Sequence, residues 1–105
     1  MKKFMLLIGL VLVMLGCTQT QTQTQAIWID VRTVQEYEAG HLPTAVNIPF
    51  DVIADNISAV TTDKNAPIHL YCKSGRRAGV ALETLSALGY TNVTNEGGYE
   101  QLIAD

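Results

Sequence analysis

One run of residues concentrates the chemistry of this chain: Leu70-Tyr71-Cys72-Lys73-Ser74-Gly75-Arg76-Arg77-Ala78. A cysteine stands between an apolar, strand-like segment and a helix-like one, with three cations and a glycine directly behind it. The useful nucleophile is a thiolate, and a free cysteine ionises near a pKa of about 8.5. Cations and a helix N-terminus beside the sulfur favour its charged form. Gly75 lets the backbone curl, and a curled loop turns successive N–H groups inward as a nest for an anion. Cys72 is therefore the candidate nucleophile, and Lys73, Ser74, Gly75, Arg76 and Arg77 are the candidate anion-binding residues.

The charge distribution sharpens this reading. The chain has 7 Lys+Arg against 10 Asp+Glu, a net charge of −3. Lys2 and Lys3 lie at the extreme N-terminus, so beyond residue 16 five cations face ten carboxylates, and three of the five are Lys73, Arg76 and Arg77. A nucleic-acid binder spreads a basic stripe over a face. This chain instead focuses positive charge at one loop of an acidic body, which suits a small anion.

The elements that must position the loop can be read around it. Ile27 to Val31 forms a strand-like run. Thr33-Val34-Gln35-Glu36 has the form of a capping box opening a short helix to Ala39, which Gly40 ends. Ala45 to Ile48 reads as a second strand closed by Pro49. Asp51 to Val60 is helical by pattern, with Val52, Ile53, Ile57 and Val60 on one side. Ile68 to Tyr71 is a third strand. Arg77 to Leu88 is the clearest helix, with Val80, Leu82, Leu85 and Leu88 as its apolar residues and Gly89 as its stop. Val93 to Asn95 is a fourth strand, Gly97-Gly98 a turn, and Tyr99 to Ala104 a last helix. Strands alternating with helices predict a parallel sheet covered on both faces. In such sheets the ligand site lies beyond the carboxyl ends of the strands. Cys72 falls at that end of the third strand, and Asp30, Arg32 and Asn95 fall near the ends of others.

The first sixteen residues pair Met-Lys-Lys with an apolar run from Phe4 to Gly16, the form of a secretory signal peptide. The run is short of the roughly 20 residues a membrane span requires. Met14-Leu15-Gly16-Cys17 resembles the bacterial lipoprotein signal, which implies lipidation at Cys17; cleavage further on, near Ala26, would instead leave a soluble secreted protein. Residues 17–26, with four Thr-Gln repeats from Thr18 to Gln25, hold nothing to bury and read as a flexible tether. Its eight repeat residues would span roughly 26–29 Å when extended. The expected domains are residues 1–16, signal; 17–26, tether; and 27–105, one small folded unit. The expected setting is outside the cytoplasm, periplasmic or at the cell surface, with membrane attachment by the lipid alone. With Cys17 lipidated, Cys72 has no partner cysteine, and a single free thiol in an exported domain asks for a use.

Taken together, the motifs resemble the rhodanese-like sulfurtransferases, most closely their small single-domain exported kind. The carriers are Trp28-Ile29-Asp30-Val31-Arg32 with Glu36-Tyr37, Gly40-His41-Leu42-Pro43-Thr44-Ala45-Val46-Asn47-Ile48-Pro49, Tyr71 through Ala78, Leu88-Gly89-Tyr90 and Gly97-Gly98. The departures are Thr44, where the family usually has Gly, and the lack of the Trp some members carry after the Gly-Gly. The resemblance implies a three-layer α/β/α fold with a small central parallel sheet of four to five strands. It implies sulfur transfer from thiosulfate or a similar small anionic donor, through a persulfide on Cys72, to cyanide or a thiol. It implies supporting roles for Asp30 and Arg32, structural places for His41 and His69, no cofactor and no metal. A tethered acidic domain gives no reason to expect more than a monomer.

Two other enzyme or binding classes share this fold. Phosphatases and arsenate reductases use a Cys-x5-Arg loop, but here Cys-x5 lands on Ala78 and Arg77 comes one position early. Docking or sulfane-sulfur sensing modules usually lack the cysteine, which this chain keeps. A general thiol redox protein would want a resolving cysteine nearby.

Overall fold

The computed structural model describes residues 25–104. The signal and lipidation readings at residues 1–17, and the tether up to residue 24, lie outside the described residues.

Four strands form one parallel sheet in the order β2-β1-β3-β4. They are β1 (Ile27–Asp30), β2 (Val46–Asn47), β3 (Ile68–Cys72) and β4 (Val93–Gly98). The helices are α1 (Val34–Ala39), α2 (Ile53–Asn56), α3 (Arg76–Ala87) and α4 (Tyr99–Ile103). Single 3₁₀ turns at Phe50–Val52 and Ile57–Ala59 flank α2. The chain leaves β1 for one edge of the sheet and then crosses back to place β3 on the other side of β1. The point where the direction reverses is thus the junction of β1 and β3, where Asp30 pairs with Tyr71. Open parallel sheets bind ligands at such a junction, and Cys72 is the next residue.

Strand alternation decides what each face buries. Ile29, Ile68, Leu70 and Cys72 join Ile53, Ile57, Ala78, Ala81 and Leu85 in one core. His69 and Tyr71 point the other way: Trp28 stacks on His69 at 4.7 Å, and Tyr99, opening α4, stacks on Tyr71 at 6.0 Å.

The capping box is present as read. Thr33 Oγ1 accepts from the Glu36 N–H at 3.1 Å, and Glu36 Oε1 accepts from the Thr33 N–H at 3.0 Å. The C-terminus of α3 closes at Gly89, with Tyr90 N–H donating to the Leu85 carbonyl and Gly89 N–H to that of Ser86. That is the Schellman pattern.

Three expectations need correction. The span from Asp51 to Val60 is not one helix but a 3₁₀–α–3₁₀ sequence. Asn56 Nδ2 donates to the Val52 carbonyl at 2.8 Å, taking the acceptor a continuous helix would use for backbone. Ile53 and Ile57 are buried as expected, but Val52 and Val60 are exposed. On α3 the buried residues are Ala78, Ala81 and Leu85, with Leu82 packed against them, whereas Val80 and Leu88 are exposed. Small residues on the inner stripe let the helix approach the sheet closely. Finally, Gly97-Gly98 is the end of β4 rather than a turn, with a register shift against β3 between Leu70 and Cys72.

Candidate active site

Cys72 ends β3 with no solvent exposure. Its sulfur lies at the floor of a loop formed by Lys73, Ser74 and Gly75, and the Gly75 N–H is aimed at Sγ from 2.9 Å. Gly75 sits at φ +97°, a conformation that L side chains rarely adopt. This left-handed residue turns the amide back toward the sulfur and starts α3 in the same step. No side chain caps α3. Its first backbone hydrogen bond runs from the Gly79 N–H to the Gly75 carbonyl. The N–H groups of Arg76, Arg77 and Ala78 precede that bond and are the unpaired donors every helix start leaves. The loop therefore presents backbone N–H groups and a helix N-terminus to whatever occupies its mouth.

Neighbouring strand ends hold this loop in shape. Asn95 Nδ2 donates to the Gly75 carbonyl at 2.9 Å, while its Oδ1 accepts from the Gly97 N–H at 2.9 Å. Gly98 lies so close to the Lys73 carbonyl that any side chain there would collide with it. The Gly-Gly pair thus extends β4, and Gly98 makes room for the loop. A turn-like dipeptide carries no sign of this role, and the 20 residues between Asn95 and Gly75 leave no local signature of their contact.

Asp30 and Arg32 form an ion pair. Asp30 is buried and takes a forked contact from Arg32: Nε donates at 2.9 Å to Oδ1, and Nη2 at 2.6 Å to Oδ2. The Arg32 Nη2 also donates to the Gly40 carbonyl at 2.7 Å, and the guanidinium lies 4.5 Å from the Tyr99 ring centre. The hydrogen bond to Asp30 raises the Arg32 pKa further. Burial pushes the Tyr71 phenol up to about 12, keeping it neutral as it accepts from the Leu42 N–H. This network ties the turn after α1 to the carboxyl end of the sheet.

The three loop cations divide. Lys73 and Arg76 are exposed and, among the described residues, enter no ion pair. Arg77 is turned against Glu36, with Nη1 donating to Oε1 at 2.8 Å and Nη2 to Oε2 at 3.1 Å. That contact holds the Glu36 carboxyl down to about 2 and raises Arg77. A cleft of about 210 Å³ opens beside the loop, with Glu36, Gly40, Lys73, Tyr99 and Glu100 in its walls. Ser74 lies exposed on the loop.

His41 stacks on Tyr37 at 3.6 Å and bonds its carbonyl through Nδ1. His69 pairs with Glu96 at 2.8 Å on the sheet face away from the core. Among the described residues no cluster suits a metal ion, and no helix is long and apolar enough to cross a membrane.

Comparison with known proteins agrees with this fold. The family model described as Rhodanese-like domain matches residues 16–105. The thiosulfate sulfurtransferase PspE of Escherichia coli (strain K12) is 41% identical over 75 residues, covering 71% of this chain and 72% of the relative. The uncharacterized protein YqhL of Bacillus subtilis (strain 168) is 39% identical over 74 residues, covering 70% of this chain and 57% of that one. A solved structure described as a rhodanese with anions from E. coli superposes with a TM-score of 0.72 at 39% identity, over 75% of this chain and 93% of the other.

Proposed function

Because the chain belongs to the rhodanese-like sulfurtransferase family, we propose that Cys72 is its sulfur carrier and that thiosulfate, or a similar small dianion, is the donor. The observation that carries this reading is the Gly75 N–H aimed at Cys72 Sγ from 2.9 Å inside a loop of unpaired amides. Such a cradle stabilises negative charge on sulfur, first on the thiolate and then on a persulfide.

In the proposed reaction the Cys72 thiolate attacks the outer sulfur of thiosulfate. A bond forms between the two sulfurs, and the bond to the sulfonate sulfur breaks. Sulfite leaves with that electron pair, and Cys72 holds a persulfide anion. An acceptor such as cyanide then attacks the terminal sulfur, leaves as thiocyanate and returns the thiolate. A thiol acceptor takes the sulfur in the same way. Charge and electrons balance in both halves, so no oxidant or cofactor enters. Since Cys72 is closed to solvent, the loop above it yields before the donor reaches the sulfur. Lys73 and Arg76 draw the anion to the mouth, and Ser74, Arg77 and the loop amides hold it. Ala78, at the position where a phosphate-binding loop would need its arginine, is buried and apolar. The test is whether thiosulfate loads sulfur onto the wild-type chain and not onto Cys72→Ser.

The same proposal places the domain outside the cytoplasm as a monomer, held to a membrane by lipid on Cys17. Cys17→Ser would then move the protein from the membrane fraction to the soluble one, as fractionation and immunoblotting would read; an unchanged distribution would refute the anchor.

A further inference from the structure

We propose that Glu36 is a charge-setting residue of the Cys72 loop: by taking one edge of the Arg77 guanidinium it limits the positive charge offered to the donor. The inference rests on the reading of that loop as an anion site.

Four cations lie around the site. Two are matched by carboxylates, Arg32 by Asp30 and Arg77 by Glu36. Lys73 and Arg76 have no such partner among the described residues. The two carboxylates differ in what an incoming anion meets. Asp30 is sealed, with no side-chain exposure, whereas Glu36 is 30% exposed. Glu36 also lines the cleft beside Lys73. An anion approaching Arg77 therefore meets the Glu36 carboxylate at close range. Glu36 occupies two of the five N–H donors of Arg77, leaving three for a ligand. It thus orients Arg77 while offsetting its charge, which disfavours a dianion more than a monoanion.

The fold gives this a clean experiment, because Glu36 has a second task that glutamine can also perform. It is the third residue of α1 and closes the capping box, where Glu and Gln serve alike. Glu36→Gln keeps the cap and removes the charge. The protein for the measurement is the full chain in mild detergent carrying Cys72→Ser, so that thiosulfate binds without reacting. Calorimetry should find thiosulfate bound about three- to tenfold more tightly when Glu36→Gln is added. The gain should be smaller for thiocyanate, a monoanion, and should shrink as salt rises. Glu36→Asp, which keeps the charge but shortens its reach to Arg77, should fall between. It keeps the test open if the glutamine variant folds poorly. Asp55→Asn, which removes one charge from exposed α2 outside the cleft, should leave the affinity unchanged.

Equal thiosulfate affinity with and without Glu36→Gln, or an equal gain from Asp55→Asn, overturns the role of Glu36 and leaves the anion site standing. Absence of thiosulfate binding in every variant overturns the anion site and, with it, the charge-setting role.

Discussion

Two arginine–carboxylate forks flank the Cys72 loop, and they are built for different work. Arg32 and Asp30 are two residues apart, buried, and bonded in the same unit to the Gly40 carbonyl and the Tyr99 ring. Arg77 and Glu36 are 41 residues apart and part-exposed, at the edge of a cleft. A buried fork has already lost its water, so removing one partner strands a bare charge in a low dielectric. A part-exposed fork keeps water within reach, so either partner can be released at small cost. The first is suited to holding shape and the second to adjusting charge.

The largest expected effect breaks the buried fork. Asp30→Ala leaves Arg32 buried without its counter-charge and should cost about 3–5 kcal/mol in urea unfolding, a large share of what so small a domain has. A loss below about 1 kcal/mol would place the pair among surface contacts and erase the distinction.

Next in size is the arginine of the exposed fork. Arg77→Ala should lower kcat/KM for thiosulfate about tenfold to a hundredfold, the worth of one charge-assisted contact of about 1.5–3 kcal/mol. It also leaves Glu36 facing the donor uncompensated. Unfolding free energy should move by less than about 1 kcal/mol. If stability falls and turnover per folded molecule does not, Arg77 serves the fold and has no part in donor binding.

The smallest effect is set by acid. Arg77 holds the folded Glu36 carboxyl down to about 2 against an ordinary value of 4.5. A depressed carboxyl adds stability that is complete above its unfolded pKa and disappears as pH falls through the folded one. The contribution should therefore fade between pH 4.5 and about 2. With solvent screening it stays below about 1 kcal/mol. Unfolding of wild type and Glu36→Gln should converge across that window. Curves that stay parallel through it would show that the Glu36 pair adds nothing to the fold.

Much of this was readable in the chain because the relevant physics is local. The Thr33–Glu36 capping box and the Gly89 stop each lie within one helical turn and carry their own residue types. The alternating strands and helices, and the position of Cys72 at a strand end, followed from hydrophobic pattern. The concentration of Lys73, Arg76 and Arg77 is plain from the count of charged residues. The misread parts depend on what comes together in space. Gly97-Gly98 reads as a turn until the Lys73 carbonyl is seen lying against Gly98. Asp51 to Val60 reads as one helix until Asn56 takes a backbone acceptor. Three adjacent cations look equivalent until Glu36, far away in sequence, selects Arg77.

Sulfur loading on Cys72 is the most direct test of the proposed transfer. Incubating the chain with thiosulfate, removing the excess and recording an intact mass should show an increase of one sulfur atom. Cyanide should remove it, and Cys72→Ser should never gain it. An unchanged wild-type mass, or the same adduct on Cys72→Ser, would contradict the proposed mechanism.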